Sequence, residues 1–214
     1  MILPMRSPRM PFLLAVAAAF ALTGVSTAAM AAAPSAPAAA MVVPDGFSLD
    51  ADGSTLVHGG SGFRFPAHIA GFTRINEQQF DPSGDYVAIA YQRDLPGGDQ
   101  VAVRIAVVHI RDMSAADHYV IMKPVAMSYF SAVSVLSEGP VRIAGQPDVE
   151  GYRGIFAGVR DGTPWHFSLT TVDYGYWSGR LASAYPETAA GQAENDLEAL
   201  VAAFRWQRPV RSAR

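Results

Sequence analysis

Three short loops of turn-forming residues, each set between alternating apolar and polar runs, constrain this chain most. Asp81-Pro82-Ser83-Gly84-Asp85, Pro96-Gly97-Gly98-Asp99 and Arg160-Asp161-Gly162-Thr163 place proline, glycine and aspartate where a chain must reverse. Across Gln100 to Ile110, Val101, Val103, Ile105 and Val107 fall on one side and Arg104 on the other, the period of a half-buried strand. Tyr86 to Arg93, Gly151 to Val159, Trp165 to Tyr174 and Tyr176 to Tyr185 are strands by the same pattern. Thr73 to Phe80 pairs with Tyr86 to Arg93 across the first turn, and Phe63-Arg64-Phe65-Pro66 is a short strand ended by proline. Each loop is expected to close a hairpin, so the pairing is antiparallel.

Two segments change period. Ser114-Ala115-Ala116-Asp117 is an N-cap followed by an acid, and Tyr119, Met122, Ala126, Tyr129, Val133 and Leu136 recur at helical spacing up to Gly139. Pro124 is expected to kink or divide that helix. From about Gly191 to Arg205, Leu197, Leu200, Val201 and Phe204 make one apolar stripe, with Glu194, Asp196 and Glu198 on the rest of the cylinder. The order strands, helix, strands, helix predicts an α+β fold, an antiparallel β-sheet flanked by helices. Trp165, Phe167 and Leu169 share a parity and should meet a helix, while His166, Ser168 and Thr170 face the other way.

The first forty residues or so follow other rules. Arg6 and Arg9 make a basic start, Pro11 to Val25 is an apolar stretch too short to span a bilayer, and Ala29-Met30-Ala31 fits the small-x-small pattern of a cleavage site. The expected division is a signal peptide at 1–31, an Ala/Pro linker at 32–44, a single domain at 45–208 and a tail at 209–214. The leader takes two of the 16 basic residues and none of the 19 acidic ones, leaving a net charge of −5. That balance, with arginines spread singly and Lys123 the one lysine, disfavours nucleic acid as a partner. With no cysteine there is neither a disulfide framework nor a lipid-anchor cysteine. A periplasmic or secreted protein without a transmembrane anchor is expected once the leader is cleaved.

The order of elements resembles a known family. A short strand ending in Phe65-Pro66, a meander, a central helix, three more strands, a last strand closing on Tyr185-Pro186 and a C-terminal helix ending Phe204-Arg205-Trp206 resemble the PsbP-like sandwich, over roughly Gly62 to Gln207. That family includes the extrinsic photosystem II subunit and exported bacterial proteins of unknown role. The resemblance implies a fold and an accessory, non-enzymatic character, and supplies no catalytic residue.

Catalytic patterns are sparse. His58-Gly59-Gly60-Ser61-Gly62 is similar to the oxyanion loop of some esterases, but no Gly-x-Ser-x-Gly elbow accompanies it. A glycine turn before the Phe63 strand is the plainer expectation. His58, His68, His109, His118 and His166 show no helical His-x-x-x-His pair, and Asp45, Asp50 and Asp52-Gly53 lack the later acid that would close a calcium loop. No catalytic residue, cofactor or metal is expected. Aromatic residues crowd the last three strands with Arg153, Arg160 and Arg180 among them, and Tyr174, Tyr176, Trp177 and Arg180 form the candidate recognition surface. The expectation is an exported non-catalytic accessory or binding protein of the cell envelope, its partner an envelope protein or a small ligand. The alternatives are a small periplasmic hydrolase using His58 and Ser61, and a structural envelope protein that assembles with its own copies.

Overall fold

Hairpin chemistry sets the topology in the computed structural model, which describes residues 43–111 and 113–204. The expected signal peptide, the linker up to residue 42, the domain's last residues 205–208 and the tail at 209–214 lie outside the described residues. Strands β1 (Phe47–Leu49), β2 (Leu56–His58) and β3 (Arg64–Phe65) form a small sheet in that order. The main sheet draws on β4 (His68–Ile69), β5 (Phe72–Gln79), β6 (Tyr86–Asp94), β7 (Gln100–His109), β8 (Ser131–Ile143), β9 (Gln146–Arg160), β10 (Thr163–Asp173) and β11 (Trp177–Pro186). Helix α1 (Ala115–Met127) follows β7, and helix α2 (Ala190–Ala203) follows β11.

The main sheet runs β4-β5-β6-β7-β11-β10-β9-β8, and each neighbouring pair is antiparallel. Two meanders therefore meet at β7 and β11, and α1 carries the chain across one face to the far edge. All three expected hairpins form. At Asp161-Gly162 both residues have positive φ, 53° and 76°, the backbone of a two-residue turn whose twist matches its strands.

The helix expected to reach Gly139 stops at Met127. Val133 and Leu136 belong instead to β8, a strand where the helical spacing predicts helix. Val133 and Val135 flank Ser134 at a period of two, and β-branched valines favour the strand. Phe130 stacks on Phe167 at 4.1 Å and fixes the exit from the helix. Helix α1 is continuous through Pro124 rather than divided. Proline removes one bond, to the carbonyl of Val120, and Val120 is exposed, so water can satisfy it. The Ser114 cap forms as expected, its hydroxyl accepting the Asp117 N–H at 3.1 Å.

Strand parity sorts side chains into two cores. Val87, Ile89, Val103 and Ile105 face α2 and the small sheet, where Phe204 is fully buried 5.6 Å from Phe65. Arg93 Nε lies 3.1 Å from Asp196 Oδ2, a charge contact rather than an aligned hydrogen bond, and ties α2 to β6. On the other face, Tyr119 of α1 packs with Phe156, Phe167 and Leu169. Each large side chain buried this way contributes about 1.5–3 kcal/mol of transfer free energy.

Candidate functional site

The four residues expected to form a recognition surface are placed apart. Tyr174 and Trp177 are buried in the larger core, Tyr174 against Phe63 at 5.2 Å and Trp177 between His58 and His109. Tyr176 is half exposed, with the Arg111 guanidinium 6.0 Å from its ring. Arg180 points to the opposite face of the sheet, under α1, and is 8% exposed.

His58 and Ser61 do come together, with Nδ1 and Oγ 2.7 Å apart. Both are buried in the turn joining β2 to β3. The Gly62 N–H closes that turn on the His58 carbonyl at 2.7 Å, and Ser61 Oγ accepts the Phe63 N–H at 3.3 Å. Burial holds the His58 pKa below its ordinary value, so the ring is a neutral hydrogen-bonding element of the turn. Asp52 closes another turn by accepting from Ser54 and Thr55, and those bonds hold its carboxyl at about 2. Among the described residues no three His, Cys, Asp or Glu side chains converge as a metal site.

A different cluster emerges on the α1 side once the strands are in register. Directly paired residues share a face, so Gln78, Ala88, Ala106, Arg180 and Thr171 form one row across β5, β6, β7, β11 and β10. Asn76, Ala90, Arg104, Ala182 and Leu169 form the next. Helix α1 lies over the β9, β10 and β11 end of these rows, where Tyr119 and His118 reach the sheet. The β5, β6 and β7 end has no helix above it among the described residues; its floor carries Asn76, Gln78, Ala88, Ala90, Ala106 and Arg104, with Ala88 and Ala106 buried and Arg180 of β11 at its border with α1.

The two arginines are diagonal neighbours on adjacent strands, their roots about 7–8 Å apart by sheet geometry. Arg180 donates to the Tyr86 hydroxyl at 2.7 Å, and its guanidinium lies 5.8 Å from that ring's centre. Arg104 donates to Gln78 Oε1 at 2.5 Å and lies 5.0 Å from the Phe80 ring centre. Phe80 and Tyr86 stack on each other at 4.3 Å. Desolvation lowers the Arg104 pKa, and the Arg180 charge adds to the effect. Neither guanidinium has a carboxylate within ion-pair distance among the described residues. His118 adjoins them, 3% exposed, with Nδ1 2.5 Å from Ser178 Oγ. Burial, and then the Arg180 charge, hold its pKa at about 4, so it is neutral at pH 7.

The sequence marks Arg180 and sets Arg104 off from the valines of its strand. It gives no sign that Tyr86, Phe80 and His118 join them, because those contacts span up to 94 residues of chain. The one available signal is the shared parity of Ala88, Ala90, Ala102 and Ala106, small residues that leave room above the sheet for the long side chains of Arg104 and Tyr86.

No family model and no curated protein sequence matches the chain. Solved structures similar to it include LpqN, involved in cell envelope biogenesis of Mycobacterium tuberculosis, at 9% identity and a TM-score of 0.38 over 60% of this chain and 86% of that one. The Saccharomyces cerevisiae Ran-binding protein Mog1p is similar at 11% identity and a TM-score of 0.32, over 63% of this chain and 96% of that one. Among the described residues no helix is long and apolar enough to cross a membrane.

Proposed function

We propose that this is an exported, non-catalytic binding protein of the cell envelope, and that it engages its partner through the β5–β6–β7 end of the α1 face, over which no helix lies among the described residues. The observation that carries the reading is the arginine pair at the border of that face, cationic groups held by neutral neighbours among the described residues. Arginine with aromatic residues is the composition of binding hot spots, and here Phe80 and Tyr86 supply the rings. The leader at 1–31 supports export, and the landmarks Phe65-Pro66 and Tyr185-Pro186 support a PsbP-like sandwich. Intact-mass analysis of the protein from its own host is expected to find Ala32 at the start; Met1 retained in a cytoplasmic protein would overturn the export reading. A photo-crosslinking residue at Ala90, on the open face, is expected to capture a partner in the envelope, whereas one at Thr163, in the β9–β10 turn, is not. Equal recovery from both positions would refute the face.

A further inference from the structure

We infer that the Arg104–Arg180 pair is the seat of a phosphate monoester carried by the partner or ligand; this deepens the binding reading above and rests on it. Partial burial of a guanidinium costs several kcal/mol. Each of these two recovers part of that cost from one neutral acceptor and one aromatic ring. The guanidinium fork has five donors, and Tyr86 and Gln78 take one from each arginine. Two like charges on adjacent strands also repel. A group of opposite sign between them relieves repulsion and desolvation together, and charge-assisted bidentate bonds are the strongest it could make.

Charge selects the class of group. A carboxylate carries one negative charge and offsets one arginine, whereas a phosphate monoester carries about −1.5 to −2 near pH 7 and offsets both. Its oxygens diverge tetrahedrally, which suits forks approaching from two diagonal positions. The chain as a whole is acidic, so this is a local cationic site rather than part of a basic surface that would take any polyanion. Neutral His118 and the Tyr86 hydroxyl offer further hydrogen-bonding groups beside Arg180 without adding charge.

The test is a titration of the mature protein with inorganic phosphate at constant ionic strength, following the arginine side-chain Nε–H resonances by NMR, with acetate and chloride as controls. Saturable shifts at Arg104 and Arg180 are expected with phosphate, with acetate at least about tenfold weaker. Arg104→Gln is expected to weaken phosphate binding by about tenfold or more, the effect of losing a charge-assisted hydrogen bond. Arg104 is only half-buried, and the variant's unchanged amide spectrum elsewhere would show that it folds. Vesicles of phosphatidylcholine with and without phosphatidic acid distinguish the sources. Co-sedimentation that needs phosphatidic acid and is competed by phosphate assigns a lipid headgroup, and phosphate binding without co-sedimentation assigns a soluble ester. Arginine resonances that respond equally to phosphate, acetate and chloride, or a phosphate response intact in Arg104→Gln, would overturn the seat. Crosslinking from Ala90 that persists in that event would leave the binding face standing without it. Phosphate binding with no Ala90 crosslink would instead sink the partner reading and keep the seat.

Discussion

Acid should destabilise this fold through His118, by an amount its surroundings fix. The ring is buried at the first turn of α1, bonded to Ser178 and beside Arg180, and its pKa is held at about 4 against an ordinary 6.5. Between those values the unfolded chain binds a proton that the native state does not. Stability is therefore full above pH 6.5, falls by up to 1.36 kcal/mol per pH unit below it, and has lost the whole contribution below pH 4. From pH 7.5 to 4.5 the loss due to His118 is about 2.5 kcal/mol, or roughly 5–10 °C in Tm for a domain of this size. His58, also held low by burial, adds a loss of the same sign. Asp52 titrates near 2, below the window, and does not offset either.

The assay is urea unfolding followed by tryptophan fluorescence at pH 7.5 and 4.5, for the wild type and for His118→Gln. Glutamine can still bond Ser178 but cannot charge. The stability difference between the two pH values is expected to be smaller in the variant by about 2.5 kcal/mol. The same pH dependence in both proteins would refute the reasoning, since His118 would then take up its proton without cost in the folded state.

Three substitutions test the packing. Phe204→Ala is expected to cost about 3–5 kcal/mol in a denaturant series, because the ring is fully buried where α2 ends; an unchanged midpoint would contradict the docking of α2. Gly154→Ala is expected to cost about 1–3 kcal/mol, because a Cβ there would overlap the Tyr119 hydroxyl and the Phe156 ring; wild-type stability would mean that α1 sits higher on the sheet. Trp177→Ala should destabilise by about 3–5 kcal/mol, while Tyr176→Ala should stay within about 0.5 kcal/mol. Equal melting shifts from that last pair would contradict the placement of one ring in the core and the other at the surface.

Local chemistry made most of the fold legible. Turn residues at 81–85, 96–99 and 160–163 and the alternation beside them locate β5, β6, β7, β9 and β10, and alternation alone locates β11, since strand period and reversal both act over a few residues. The helix boundary failed where two periods overlap. From Tyr119 the apolar spacing of three and four residues continues through Val133 and Leu136, although Val133 and Val135 also alternate with serine. What decides between them is Phe130 against Phe167, 37 positions further along the chain.

The binding face was illegible for a related reason. Alternation told that Arg104 leaves the valine side of β7, but not what it would meet there. That depends on the order β6-β7-β11, which sets Ala88, Ala106 and Arg180 in one row and Ala90, Arg104 and Ala182 in the next. A strand of alternating valine and alanine is equally compatible with a helix packed on its small side or with open surface. Only the path of α1, over β9 to β11, leaves the alanines of β6 and β7 without a helix above them. The same path buries His118 against Arg180, and burial first and that charge second hold the ring neutral. Phosphate at pH 7.5 is close to the dianion the seat prefers and is the monoanion at pH 4.5, so against chloride of equal ionic strength it should stabilise the folded protein more at pH 7.5 than at pH 4.5. The difference should vanish in Arg104→Gln; if it persists there, phosphate acts at some other group.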